Sequence, residues 1–199
     1  MSVERDIFTA MAKRYSFAKM PDLKELAEAR QKGGPLVFSD GVFKIADGPA
    51  INVSLTAYRD AIFADTRSST KDSDAFLDDM LGWLNSEMGL LDYKSVAIRR
   101  IYVSEVYISL EKSLNMFNKK FSDFCKFLAS TIKGPTKNLS VEVGALVFWV
   151  DPEIKHVHVP FRLERQEGSA FDEGRYYSMA PLETEEHLSA IEQLEKMTI

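Results

Sequence analysis

Residues 51–90 read INVSLTAYRDAIFADTRSSTKDSDAFLDDMLGWLNSEMGL, and this stretch decides the class of fold. Ile51, Val53, Leu55 and Ala57 alternate with Asn52, Ser54, Thr56 and Tyr58, the period-two pattern of a half-buried strand. Past Arg59-Asp60 the parity changes, with Ile62 and Ala64 apolar, so a tight turn over Tyr58–Ala61 separates two strands. Residues 65–74 are then dense in Ser, Thr and Asp, whose side chains cap helix N-termini. Phe76, Leu77, Met80, Leu81, Leu84 and Met88 follow at helical spacing, and Gly89 suits a left-handed stop. Asp74, Asp78 and Asn85 fall on the opposite, wet face. A hairpin and a helix of this kind cannot cover their own apolar residues, so other elements must pack on them.

Upstream, residues 2–14 form a short helix with Val3, Ile7, Phe8 and Met11 on one side. Pro21-Asp22 opens a second, polar helix, Leu23 to Gln31, ended by Gly33-Gly34-Pro35. This arm, 1–34, is the least core-like part of the chain and the best candidate for a mobile or partner-contacting segment. Leu36-Val37-Phe38 and Val42-Phe43-Lys44-Ile45 flank Ser39-Asp40-Gly41, a hairpin signal, which makes 36–66 an antiparallel meander.

Downstream, Arg99 to Ser109 reads as a strand whose apolar parity slips between Val103 and Val106, the mark of a bulge or an edge. A second long helix spans 110–132, with Leu110, Leu114, Phe117, Phe121, Phe124 and Leu128 spaced alternately four and three apart. That spacing suits a coiled coil, but the phenylalanines, with Cys125 and Ile132 widening the stripe, point to a face buried against strands of its own chain, 139–150 and 156–165. Those strands alternate on either side of Asp151-Pro152-Glu153. Pairing Val147 with Val159, and Val143 with Leu163, places Val147, Trp149, Val157, Val159 and Phe161 on one buried face. Tyr176 to Met179 adds a strand, and Thr184 caps an acidic helix carrying Leu188, Ile191 and Leu194. The order of elements implies an α+β fold: a largely antiparallel sheet, meander plus C-terminal hairpin, covered on one face by two long helices. A single domain over 1–199, with 1–34 as a helical arm, is expected.

Net charge is −5, too mild for an electrostatic pull toward nucleic acid or an anionic membrane. The longest apolar run, Val143 to Val150, is far short of the ~20 residues that span a bilayer. Cys125 is the only cysteine, which excludes an internal disulfide and suits a reducing compartment. The start, Met1-Ser2-Val3-Glu4-Arg5-Asp6, lacks the basic and apolar regions of a signal peptide, so the expected location is cytoplasmic.

Few polar constellations stand out. His156-Val157-His158 sends two imidazoles from one face of a strand, with Glu164 further along it, so His156, His158 and Glu164 are candidate metal ligands. The plainer reading is two ordinary histidines on an outer sheet face, because a lone His-x-His is a weak signal. Arg67, Ser68, Ser69, Thr70 and Lys71, before a helix N-terminus, are candidate anion ligands. That segment lacks the glycines of a phosphate loop and carries Asp72 and Asp74, so helix capping is the simpler use. Asp74 and Asp78, one turn apart, suit a divalent cation or a solvated surface; Gly82, mid-helix, suggests close approach by another element; Cys125, on an apolar helix, suggests packing rather than a nucleophile. No Gly-x-Ser-x-Gly elbow occurs. The expectation is a soluble intracellular protein-binding or assembly module without catalytic activity or cofactor, with protein partners and a possible homo-oligomer. The alternative is an enzyme or ligand-binding protein with an anion site at the 65–74 turn or a metal site at His156/His158.

Overall fold

The computed structural model describes residues 3–45, 48–89, 95, 99–111, 113–114, 119–132, 139–151, 153 and 159–197. It is an α+β structure with two antiparallel sheets. Met1–Arg100 and Ile101–Ile199 form two compact units, each built on one sheet. Among the described residues, no helix is long and apolar enough to cross a membrane.

In the first unit, β1 (Leu36–Lys44), β2 (Ala50–Ala57) and β3 (Ile62–Thr66) form a meander, β2 pairing antiparallel with both neighbours. The Tyr58–Ala61 turn closes as the alternation predicts, with Tyr58 N–H donating to Ala61 O at 2.8 Å. Ser39-Asp40-Gly41, however, is not a hairpin turn. β1 runs straight through it, and the register shifts so that Ser39 and Asp40 together oppose Ser54, a β-bulge. Asp40 absorbs the extra residue at φ 55°, while Ser39 bridges outward to Lys19. Gly41 is required here because a side chain would run into the Phe17 ring.

The inner face of this sheet presents Phe38, Val53 and Leu55 to Phe76, Met80 and Leu84 of α3 (Thr70–Met88), in one core with Met11 and Tyr15 of α1 (Val3–Tyr15). The expected arm therefore contributes to the core: Tyr15 is fully enclosed and touches Phe17, Phe43, Phe76 and Trp83 edge-on. Its hydroxyl donates to Asp79 at 2.7 Å, and Arg14 grips the same carboxylate at 3.0 and 3.1 Å, tying α1 to α3. Burial first, then the Asp79 contact, raises the Tyr15 pKa. Only α2 (Leu23–Lys32), closed by an Asp22/Glu25 capping box and a left-handed Gly33, is the polar surface helix expected.

In the second unit the strand order is β4-β7-β6-β5, where β4 is Ser104–Ser109, β5 Ala145–Phe148, β6 Phe161–Arg165 and β7 Arg175–Ala180. The strand expected over 99–109 is shorter, because β4 begins only at Ser104. It is an edge strand without a register break, so the parity slip marks where the strand starts, Val103 lying before it. Leu163, Tyr176 and Leu114 form the buried centre, and α5 (Thr184–Lys196) adds buried His187 and Ile191. The N-cap of α5 is Glu183 rather than Thr184.

Two expectations fail in this unit. β5 pairs Leu146 with Leu163 and Val147 with Arg162, not Val147 with Val159. Val147 and Trp149 are consequently exposed, at 41% and 72%, instead of buried. Residues 145–150 are apolar at both parities, and the fully buried Leu163 selects Leu146 as its partner. The second long helix, α4 (Lys119–Thr131), buries Cys125 but leaves Phe121, Phe124 and Phe127 at 40%, 57% and 59% exposure. Its phenylalanine face is not sunk against the strands. Val157 and Phe117 lie outside the described residues.

Candidate functional site

The turn before α3 uses its hydroxyls on itself. Ser69 Oγ accepts from Asp72 N–H at 3.2 Å, as an N-cap does. Thr66 Oγ1 donates to Ser69 O at 3.0 Å and lies 2.8 Å from Ser73 Oγ. Thr70 is buried, while Arg67, Ser68 and Lys71 are exposed around the turn. The five candidate anion ligands are thus split: Ser69 and Thr70 build the helix start, and Arg67, Ser68 and Lys71 border it.

Asp74 and Asp78 hold a guanidinium, Arg100, at 3.1 and 2.7 Å. Gly82 meets no close neighbour, so the expected approach of another element is absent there. Cys125 is buried, as packing requires. Glu164 lies on β6 opposite Tyr177 and pairs with Arg162 at 3.5 Å, whereas His156 and His158 lie outside the described residues. Among the described residues no three His, Cys, Asp or Glu side chains gather as a metal site would need.

The second unit holds a Ser–His pair that sequence reading missed. Ser178 on β7 and His187 on α5 are both fully buried, with Ser178 Oγ 2.8 Å from His187 Nε2. The Ser178 hydroxyl gives its one proton to Arg162 O at 2.8 Å, so the imidazole must donate to it and carries its hydrogen on Nε2. A nucleophile would need that proton directed at its base and its oxygen open to substrate. Neither holds, so the pair fastens α5 to the sheet. His187 Nδ1 is buried with no partner among the described residues, and burial lowers the histidine pKa. No local motif announces this contact, because the two residues approach only through the packing of a helix on a strand.

A second buried polar node is Arg165, which binds Glu142 at 2.7 Å and lies over the rings of Phe171 and Tyr176 at 4.6 and 5.2 Å. Glu142 also accepts from Ser113 at 2.9 Å. Arg165 Nε, however, is buried with no hydrogen-bond partner among the described residues.

Two apolar features among the described residues are open to a ligand. Beside α5 runs an open groove of about 770 Å³ floored by Phe148, Phe161, Leu182, Leu194 and Met197, with Glu185 and Glu186 on its rim. On α4, the Phe124 and Phe127 rings lie stacked on each other, centroids 6.2 Å apart and 23° between planes, and face solvent. No family model, curated protein or solved structure matches the chain.

Proposed function

We propose that this chain is a soluble cytoplasmic protein-binding or assembly module that works through apolar surfaces rather than by catalysis. The observation that carries the reading is α4, whose Phe121, Phe124 and Phe127 are each 40% or more exposed on a single helix. Three aromatic rings on a 13-residue helix are a large apolar load to leave in water, and such patches mark interaction sites. Aromatic side chains also dominate binding energy where partners meet. The Ser178–His187 pair is enclosed, and its hydroxyl is directed at a backbone carbonyl.

The test is affinity capture from lysate of the native cells, comparing the parent with Phe124→Ser/Phe127→Ser. One protein recovered in near-equal amount by the parent and lost with the variant, at an unchanged melting temperature, supports the reading. Identical recoveries from both overturn the role given to α4. Thermal shift with inorganic phosphate and with zinc runs alongside; a rise of several degrees that Arg67→Ala/Lys71→Ala or His156→Ala/His158→Ala abolishes would make the ligand-binding alternative the better one.

A further inference from the structure

We infer that the partner of α4 is the α5 groove of a second copy of this chain, the two copies exchanging their helices about a twofold axis. Spacing, length and charge carry the inference, which rests on the protein-binding reading above and names its partner.

On α4, Lys120, Phe124, Phe127 and Thr131 recur at intervals of four, three and four, so they share one face. On α5, Glu186, Ala190 and Gln193 line the groove, with Met197 just past its end, at the same intervals. Matching four-three rows are what helices need to interlock at a shallow angle. Both helices have 13 residues, a rise of about 20 Å at 1.5 Å per residue.

The charges are opposite. α4 carries Lys119, Lys120 and Lys126 against Asp123, a net +2. α5 carries Glu185, Glu186, Glu192 and Glu195 against Lys196, a net −3 with His187 neutral. A parallel pairing sets Lys120 beside Glu186, and lays Phe124 and Phe127 over Ala190 and Gln193.

Size requires the exchange to be mutual. Given the roughly 150–250 Å² that an aromatic side chain can bury, the exposed parts of the Phe124 and Phe127 rings come to about 230 Å². One such contact is well below the roughly 800 Å² per partner of a standard interface, and a second doubles the area. A twofold axis supplies the second and closes the assembly, whereas a one-way contact would propagate into a filament.

The experiment is light scattering behind size exclusion on the full chain at low salt, across a hundredfold range of concentration. The parent is expected to dimerise, less so as salt rises. Lys119→Glu/Lys120→Glu and Glu185→Lys/Glu186→Lys are each expected to weaken the dimer on the order of tenfold or more. An equal mixture of the two is expected to restore it, because both exchanged contacts then join opposite charges. The lysine variant places acids at a helix N-terminus, so a weakened helix cannot explain its loss of dimer. If the glutamate variant fails to fold, Phe124→Ser/Phe127→Ser replaces it and must be monomeric with the parent's melting temperature. A parent that stays monomeric at every concentration overturns the second-copy partner, as does a mixture of folded variants that stays monomeric or a persisting Phe124→Ser/Phe127→Ser dimer. A monomeric parent leaves the capture comparison to decide separately whether α4 binds another protein.

Discussion

His187 is fully buried, an unusual setting for a histidine. It faces Ser178 of β7 and the Phe161 ring of β6, centroids 5.7 Å apart, with no exposure to solvent. Protonation would place a hydrogen on Nδ1, which has no acceptor among the described residues. Burial accordingly lowers its pKa in the folded chain below the ordinary value of 6.5. The unfolded chain then binds the proton first as pH falls, so stability is intact above pH 6.5 and declines below it toward the folded pKa. The melting temperature of the parent should fall between pH 7 and pH 5, and His187→Gln, which keeps a donor for Ser178, should lose part of that dependence. Equal slopes in parent and variant would show that His187 is not the titrating group. The Ser178 and His187 positions carry no such information in sequence, because each looks like an ordinary polar residue until a helix and a strand meet.

At the scale of the element, α3 shows how far local signals reach. Its cap Ser69, its buried row Phe76, Met80 and Leu84, and its left-handed stop Gly89 all stand where the residue pattern puts them. Gly82 is the exception, a glycine in the middle of the helix with no close neighbour around the position its Cβ would take. Gly82→Ala should therefore stabilise the chain by about 0.5–1 kcal/mol, read as a higher urea midpoint at unchanged slope. No gain, or a loss, would mean that the space at Gly82 is filled. Other elements were legible only in part. The Ser39-Asp40-Gly41 signal is real turn chemistry, but a bulge uses the same residues, and only the pairing of β2 distinguishes them. The helix expected over 110–132 is α-helical only over Lys119–Thr131 among the described residues, Leu110 instead bonding to Gly174. Periodicity also cannot say whether its apolar face meets a strand, a partner or water. In β5 the apolar run 145–150 has no polar parity, so alternation cannot choose which side faces inward, and the register follows the buried Leu163 instead.

At the scale of the whole molecule, the strands read as one antiparallel sheet belong to two, and the Met1–Arg100 unit holds a core of its own. Its buried residues come from every part of that span: Met11, Tyr15 and Phe17, then Phe38, then Val53 and Leu55, then Phe76, Met80 and Leu84. The Arg14–Tyr15–Asp79 knot and the Arg100 bridge to Asp74 and Asp78 also close within it. About 100 residues is near the common size of an autonomous domain, though a chain this short hides a smaller fraction of its surface than a larger one. Residues 1–100 expressed alone should therefore give a single cooperative urea transition, of low stability but complete. Within that fragment Phe76 is fully enclosed and contacts Tyr15, Phe17 and Phe43, so Phe76→Ala leaves a cavity that several rings cannot jointly fill. The cost of such a truncation is about 3–5 kcal/mol, comparable with the entire stability of a small domain. The variant fragment should be unfolded or nearly so, while Phe63→Ala, on a ring 57% exposed, should shift the midpoint little. A fragment with no cooperative transition would mean that residues beyond 100 complete this core. A Phe76→Ala fragment melting like its parent would mean that the aromatic cluster is not what holds it together.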